Sequence, residues 1–519
     1  MKTNRVIKIF LASSEELEAD RYRFGNLIRK LDNIYEKRGI RIELFEWEDY
    51  DAAYNGMRKQ DEYNERVRAS DMFLALFHKK AGKFTIEEFN IARKAFDEQA
   101  SPKIYTYIKD LEAGESESRE LAEFKRLMLE ELGHYWCRYS NFDTMQLHFV
   151  LQLQMVEATT PIKVEVKESQ VKIGDSTIAD LNNVPFTSEN ATHRELQSRK
   201  EQLDREIGNA ESGGRRGFFG QRSRMTDEEL ANLREERESV TEQIERQEKA
   251  LVDTAMSIAR MQGGECSPRM RTAAELFEKG EIDKAEAVLK EDDMEADATN
   301  AKLKFDTAAQ PTAELTRNIE RCAGEYMLKA RIVVSGIADE SRYRQAVKLM
   351  STAIDLVSGR LPEETLAEYL FDYAVLLTDT DQQTKALETW ERLSGIYERL
   401  YRKAPQKYAY GYAGVLNNMA VLYSDKGDFD HCLSKYLKAI DIYDWLDREE
   451  PGIYDDDIAR LKNNLGTLYS DRDEYNKALS EFNEAARIRF ELLAKDNDPD
   501  SRSALADIYC NMATALQFS

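Results

Sequence analysis

Residue types that build disulfide frameworks, metal centres and membrane spans are scarce in this chain of 519 residues. Its five cysteines stand at unrelated spacings without a CxxC pair, so neither a disulfide framework nor a zinc site is indicated. Five histidines leave little material for metal or triad chemistry. No window approaches about 20 uninterrupted apolar residues, and the N-terminus has no apolar stretch of signal-peptide length. We therefore expect a soluble cytoplasmic protein without a membrane partner.

Glycine-rich nucleotide motifs and a net positive charge are also missing. The chain has neither a GxGxxG segment after its first strand pattern nor a Walker A, GxSxG or HExxH motif, so the usual dehydrogenase, P-loop, hydrolase and metalloprotease patterns are not indicated. The formal net charge is −23, and a phosphate backbone repels such a chain, so we expect no nucleic-acid partner. With 33% charged and 42% hydrophobic residues and only nine prolines, the composition is typical of folded protein rich in long helices.

The C-terminal half repeats a helix-pair pattern at a fixed step. Three segments align without gaps, and their small residues, Ala374, Ala420 and Gly466, stand 46 positions apart. The second helix of each segment keeps this step with an aromatic residue at Trp390, Tyr436 and Phe482. A small residue lets two helices approach closely, and an aromatic residue fills the space against the next pair. We therefore predict stacked helix pairs over residues 268–519.

These segments resemble tetratricopeptide repeats in a long form. The resemblance implies a superhelix whose concave face binds a peptide or a partner protein, such as a phage-derived trigger, or packs on another copy. The last residues, 513–519, align with the first helix of a further repeat. We expect an apolar stripe there: either the helix caps the solenoid, or it packs on another chain, or the chain is cut short.

Two smaller segments lie before the repeats. Alternating apolar and polar residues within 160–186 predict a short β-hairpin linker. Over 187–262, Leu, Ile and Val recur at helical spacing on both sides of a glycine-rich basic stretch, 213–222, which predicts an antiparallel coiled-coil hairpin. The basic tip is either a docking point for an acidic partner or a disordered loop.

Residues 1–155 alternate strand and helix patterns. Apolar strand patterns occupy 5–12, 40–47, 72–77 and 103–108, and 25–35 is an amphipathic helix. This alternation predicts an α/β domain with a doubly wound parallel sheet. Ligands of such sheets bind beyond the carboxyl ends of the strands. The candidate residues in the loops there are Ser13, Ser14, Trp47, Tyr54 and Arg58.

One further pattern lies in the third strand and the helix after it. Ser70-Asp71 precedes an apolar strand, a short loop follows, and Glu88 stands on the next helix before an apolar face. Residues 7–153 resemble the TIR-like, flavodoxin-like domains of bacterial antiviral proteins. The resemblance implies that Glu88 drives cleavage of the nicotinamide–ribose bond of NAD, which is the substrate rather than a cofactor, without a metal. It also implies that Ser13, Ser14, Trp47 and Phe84 border the nucleotide, with Trp47 able to stack on a flat ring.

The resemblance further implies an NAD glycohydrolase of anti-phage defence. Domains of this kind generally complete their sites with a neighbouring protomer, so we expect a homo-oligomer formed through the TIR-like and repeat regions. In this hypothesis the repeats sense or assemble, the domains cluster, and host NAD is consumed. The product, ADP-ribose or its cyclic form, and the trigger stay open.

Several alternatives remain at this stage. Glu87 is adjacent to Glu88, and an alignment error of one residue would make Glu87 the catalytic residue instead. Thr85 and Glu88 also have the spacing of a capping box, which any helix can use. For Asp71, which follows a serine at the start of a strand, we favour turn chemistry. The whole chain could instead be a non-catalytic adaptor, or the domain could transfer a base, since deoxyribosyltransferases have a related fold and a carboxylate nucleophile.

Overall fold

The computed structural model describes residues 5–36, 39–46, 59–112, 114–131, 136–156, 164–173, 176–212, 226–261, 266–336, 339–380, 382–449, 451–496 and 499–518. The chain divides into two compact units, one formed by Met1–Val156 with Lys163–Glu189 and the other by Glu157–Ile162 with Asn190–Ser519. The segment expected as a separate linker thus belongs largely to the first unit. Each unit is described by itself.

The first unit is built on a parallel sheet, as the strand and helix alternation predicts. Its strands are β1 (Arg5–Ser13), β2 (Ile40–Phe45), β3 (Met72–Phe77), β4 (Lys103–Lys109) and β5 (Cys137–Tyr139). They pair in parallel in the order β2-β1-β3-β4-β5. All six residues of β3 are buried, because strands flank it on both sides and helices cover both faces of such a sheet.

Helices connect these strands on both faces of the sheet. They are α1 (Glu18–Glu36), α2 (Lys59–Arg68), α3 (Lys83–Gln99), α4 (Arg119–Arg126) and α5 (Phe142–Val156). On one face Phe24 of α1 contacts Phe149 of α5, with ring centroids 4.8 Å apart. Elsewhere, Phe89 of α3 and Phe124 of α4, 5.0 Å apart, belong to one apolar cluster with Phe73 of β3. These contacts hold the helices that carry the candidate site residues against the sheet.

A small antiparallel sheet follows α5. Its strands are β6 (Glu165–Lys167), β7 (Gln170–Ile173) and β8 (Ser176–Asp180), in that order. The alternating pattern predicted the β6–β7 hairpin, whereas β8 was not expected. A short helix, α6 (Pro185–Ser188), comes next. The side chain of Asn183 donates to Asp143 on α5 (Nδ2 to Oδ2, 2.8 Å), so this small sheet is fastened to the α/β domain.

The second unit begins with the expected pair of antiparallel helices, α7 (Ala191–Ser212) and α8 (Asp227–Met261). Leu203, Val240 and Ile244 form a small buried core between them. The basic tip, 213–222, lies outside the described residues.

A buried histidine gives this helix pair a pH dependence. His193 on α7 is 2% exposed, and its Nε2 lies 3.6 Å from Glu248 Oε1 on α8. Burial lowers the pKa of His193, and a hydrogen bond with Gln247 opposes this with a smaller effect. The unfolded chain then binds more protons than the folded chain below the ordinary histidine pKa of about 6.5. We expect the unfolding free energy of the wild type to fall with decreasing pH there, by at most about 1.4 kcal/mol per pH unit.

Denaturation of the full chain at a series of pH values tests this expectation, with His193→Gln as the comparison. The difference in stability between wild type and variant should shrink as the pH falls below about 6.5. A difference that stays constant with pH would show that His193 does not titrate on unfolding.

The repeat region consists of stacked helix pairs and is a tetratricopeptide-like solenoid. Its helices are α9 (Pro268–Glu278), α10 (Ile282–Val288), α11 (Glu291–Thr307), α12 (Ala313–Ser335), α13 (Glu340–Val357), α14 (Glu363–Asp379), α15 (Gln383–Lys403), α16 (Pro405–Asp425), α17 (Phe429–Glu449), α18 (Asp455–Ser470), α19 (Tyr475–Asp496) and α20 (Pro499–Phe518). The three pairs from α14 to α19 carry the repeat of 46 residues read from the sequence. Where the last helix was expected to show an apolar stripe, Tyr509, Leu516 and Phe518 of α20 are exposed.

The small residue and the aromatic residue of a pair meet as predicted. A Cβ atom added to Gly466 would lie 2.6 Å from the ring of Phe482, which is 1% exposed. Gly466→Ala is therefore expected to lower the unfolding free energy of the repeat region by about 1–3 kcal/mol through overpacking.

Gly414 on α16 provides the matched control, because nothing lies within 4 Å of a Cβ added there. Gly414→Ala is expected to stabilise the helix by up to about 1 kcal/mol through its higher helix propensity. Urea denaturation followed by circular dichroism compares the two variants. Equal effects of the two substitutions would contradict the close contact between Gly466 and Phe482.

Candidate functional site

A reversal in the strand order at β1 locates the candidate site. β1 lies between β2 and β3, so the chain leaves β1 towards one side for β2 and returns on the other side for β3. Such a reversal is a topological switch point, and ligands of open α/β sheets bind there, outside the carboxyl ends of the strands. The loops after β1 and β3 therefore define the candidate site.

A buried arginine holds the loop after β1. Arg21, in the first turn of α1, is only 2% exposed. Its Nη1 donates to Ser13 Oγ at 2.9 Å and to the backbone oxygen of Ser14 at 2.8 Å. A guanidinium is planar and always charged, so these two hydrogen bonds fix the serine loop as one unit. Ser13 and Ser14 lie where the sequence predicts them, at the carboxyl end of β1.

Glu16 connects this loop to the loop after β3. Its Oε1 accepts hydrogen bonds from the backbone N–H groups of Lys79, at 2.9 Å, and Lys80, at 3.2 Å. The hydroxyl of Ser14 donates to the same oxygen at 3.4 Å. One carboxylate oxygen thus joins the two loops that border the switch point.

A second charged group lies at the ends of β4 and β5. Asp20, 4% exposed, accepts from Lys109 Nζ at 2.9 Å and from the hydroxyl of Tyr139 at 3.0 Å. Burial, and next the negative charge of Asp20, raise the pKa of Tyr139 far above its ordinary value, so the phenol stays a hydrogen-bond donor. This arrangement anchors the first turn of α1 to the edge of the sheet.

The loop after β3 is also tied to the segment before α4. Glu115 forms an ion pair with Lys79 Nζ, and its Oε2 lies 3.3 Å from His78 Nε2. The hydrogen bond from Lys79, followed by one from the backbone at Glu112, lowers the pKa of Glu115. Positive and negative side chains thus alternate along this edge of the sheet.

Glu88 is not a helix-capping residue. α3 begins at Lys83, its N-cap is Gly82, and this N-cap residue makes no side-chain capping hydrogen bond. The alternative of a capping box does not apply, because the helix starts two residues before Thr85, which places Glu88 in the second turn. Glycine is an acceptable N-cap, so the Thr-x-x-Glu spacing does not mark the start of this helix.

The two adjacent glutamates of α3 have different surroundings. Glu87 is half-buried, and its Oε1 accepts a hydrogen bond from Asn64 Nδ2 of α2 at 3.2 Å. Glu88 is 7% exposed and lies on the buried stripe of α3 with Thr85, Phe89 and Ala92. Carboxylates are seldom fully buried, so a glutamate on the apolar face of a helix that starts at the switch point is a candidate for chemistry.

Four candidate residues remain, and the structure describes one of them, Phe84. Phe84 lies in the first turn of α3 with 56% of its surface exposed, which leaves its ring available at this edge. Trp47, Tyr54 and Arg58 lie outside the described residues, which end at Glu46 and resume at Lys59. Among the candidates that the structure describes, Ser13 is the last residue of β1 and Ser14 follows it. Phe84 and Glu88 lie on α3.

Asp71 lies at the opposite edge of the sheet. It precedes the first residue of β3, and its Oδ2 accepts from the backbone N–H of Lys8 at 2.8 Å. This contact joins the start of β3 to β1, so the Asp71 side chain acts between strands and not within a turn as we favoured. Ser70 Oγ donates to the backbone oxygen of Val67 at 2.7 Å, which is a local contact.

Sequence reasoning missed Asp20, Arg21, Lys109 and Tyr139. A signal for one of them was present, since Arg21 is in helical register with Phe24, Ile28, Leu31 and Tyr35 on the buried stripe of α1. A charged residue in an otherwise apolar stripe predicts a buried, hydrogen-bonded charge. Within the described ranges, no group of three His, Cys, Asp or Glu side chains is placed to hold a metal ion. Among the described helices, none has the length and apolar character to cross a bilayer.

Comparison with known proteins found distant structural likenesses. Neither a protein-family model nor a curated protein matches the chain. BtubC (BKLC) from P. vanneervenii is 17% identical over 57% of this chain and 92% of its own, with a TM-score of 0.31. The apo form of RapI is 16% identical over 62% of this chain and 74% of its own, with a TM-score of 0.33. A signal-transduction ATPase with a tetratricopeptide-repeat sensor from Pyrococcus horikoshii is 11% identical over 99% of this chain and 92% of its own, with a TM-score of 0.29. These TM-scores are too low for the matches to bear on what this chain does.

Proposed function

We propose that the first unit is a TIR-like NAD glycohydrolase with Glu88 as its catalytic residue. The observation that supports this most is the burial of Glu88 on α3, one turn inside the helix that follows the switch point. No capping role accounts for a carboxyl group in that position. The proposal also uses the resemblance of residues 7–153 to TIR-like domains.

Cleavage of the nicotinamide–ribose bond needs stabilisation of positive charge. The pyridinium ring of NAD leaves the ribose as neutral nicotinamide, so the leaving group needs no proton. The ribose meanwhile develops oxocarbenium character. A buried carboxylate such as Glu88 stabilises that charge and accepts hydrogen bonds from the ribose hydroxyls. Its surroundings strengthen the attraction, because charges interact more strongly where water is excluded. Water or a ribose hydroxyl then attacks the anomeric carbon and loses its proton to solvent.

The repeat unit is proposed to control this activity. In this account the solenoid binds a protein trigger or another copy of the chain in the cytoplasm, and the TIR-like domains then cluster and consume NAD as an anti-phage response. The alternative is a non-catalytic adaptor, in which the domains only associate and the repeats act as a scaffold. Stacked helix pairs serve either role, so catalysis has to be measured directly.

Product analysis distinguishes the candidate functions. Concentrated full-length protein is incubated with NAD, with and without an added free base, and the products are separated by chromatography. The proposal expects nicotinamide together with ADP-ribose or its cyclic form. Incorporation of the added base in place of these products would indicate a transferase, and unchanged NAD at every protein concentration would favour the adaptor.

A further inference from the structure

Glu16 occupies a position with the properties of an anion-binding cradle. Two consecutive backbone N–H groups, of Lys79 and Lys80, and the hydroxyl of Ser14 converge on its Oε1 at distances between 2.9 and 3.4 Å. Successive backbone N–H groups that point at one atom form a concave site for anionic oxygens. Here the anionic oxygen comes from the chain itself.

The surroundings of this cradle favour a bound anion, although the protein as a whole is negatively charged. The net charge of the protein is −23, yet the loop that supplies the two N–H groups carries Lys79 and Lys80, and Lys83 begins the helix that follows. The buried guanidinium of Arg21 holds the serine loop on the other side. Glu115 pairs with Lys79, whereas the side chains of Lys80 and Lys83 are exposed.

The position of the cradle matches that of a phosphate group. It lies at the carboxyl ends of β1 and β3, at the switch point where open α/β sheets bind their ligands. Glu16 itself is exposed, so its side chain can rotate into solvent without opening the core.

We propose that Glu16 is an internal competitor that occupies a phosphate subsite, and that a phosphate group of a nucleotide binds by displacing it. The identification of this nucleotide as NAD rests on the proposed function. The cradle is closed while Glu16 is in place, so the apparent affinity for a phosphate-bearing ligand is reduced by the fraction of molecules in the closed form. Glu16 thereby keeps the site in a resting state at low ligand concentration.

Titration of the full chain with ADP-ribose by calorimetry tests the proposal. Glu16→Gln keeps an oxygen that can accept from the two N–H groups but removes the charge, and Glu16→Ala removes both. We expect each variant to bind ADP-ribose about tenfold more tightly than wild type. Inorganic pyrophosphate should show the same trend, while adenosine, which lacks phosphate, should show none. Glu18→Gln, an equal charge change at an exposed position of the same turn, should bind as wild type does.

The opposite results identify a merely structural Glu16. If it only fastens the two loops, Glu16→Ala binds ADP-ribose more weakly and Glu16→Gln binds it as wild type does, and the proposal is wrong. Retained circular dichroism and melting temperature establish that each variant is folded. Tighter binding without NAD cleavage by wild type would sustain the cradle and refute the glycohydrolase, whereas cleavage with unchanged binding would refute the cradle alone.

Discussion

Glu88→Gln is expected to lower the rate of NAD cleavage by at least about 100-fold. The substitution keeps the size and one accepting oxygen of a side chain that is 7% exposed, but it removes the charge that stabilises the oxocarbenium-like transition state. The measurement is nicotinamide release by full-length protein at equal concentrations of folded wild type and variant.

Glu87→Gln is the matched control for this prediction. Its carboxylate accepts from Asn64, and a glutamine oxygen can accept the same hydrogen bond, so the variant should retain activity within a few-fold of wild type. Loss of activity in Glu87→Gln with retention in Glu88→Gln would mean that the two residues exchange roles. If both variants retained the activity of the wild type, the mechanism with a catalytic carboxylate would be wrong.

The second large effect is expected for Trp390→Ala in the repeat unit. Trp390 is 1% exposed, contacts Phe371 with ring centroids 5.4 Å apart, and donates from Nε1 to Thr378 Oγ1 at 3.2 Å. Removal of the indole leaves a cavity between α14 and α15 and takes a partner from the threonine. We expect a loss of about 3–5 kcal/mol in the unfolding free energy of the repeat unit.

Chemical denaturation followed by circular dichroism measures this loss. Phe490→Ala is the control, because Phe490 is 60% exposed and its removal should change stability by no more than about 0.5 kcal/mol. Similar midpoints for Trp390→Ala and wild type would contradict the assignment of the repeated aromatic residues to the contact between paired helices.

The strongly periodic parts of the fold could be predicted from the sequence. The first four parallel strands lie close to the positions that the sequence predicts. β3 is apolar along its whole length because it is buried on both faces, whereas β2, at the edge of the sheet, alternates apolar and polar residues. The step of 46 residues located the small and aromatic residues that pair within the repeats. β5 was missed because its three residues show no periodic pattern of their own, and β8 was missed because its two apolar residues, Ile178 and Ala179, are adjacent and do not alternate with polar ones.

The candidate site was harder to predict, because its contacts join residues that are distant in sequence. The loop position of Ser13 and Ser14 follows from the strand pattern alone. Arg21, Glu16 and Asp20 act through partners on other loops, and only the order of the strands brings Lys79 and Lys109 beside them. The Thr85–Glu88 spacing suggested a capping box because Thr85 has the chemistry of a good N-cap residue, whereas glycine at the actual N-cap gives a weaker signal.

Nicotinamide release from NAD by the concentrated full-length wild-type protein tests the central claim most directly. The account predicts that one nicotinamide appears for each NAD lost, with a specific activity that rises with protein concentration as the domains cluster. NAD that stays intact at every concentration, while the protein remains folded and assembles into oligomers, would contradict the claim.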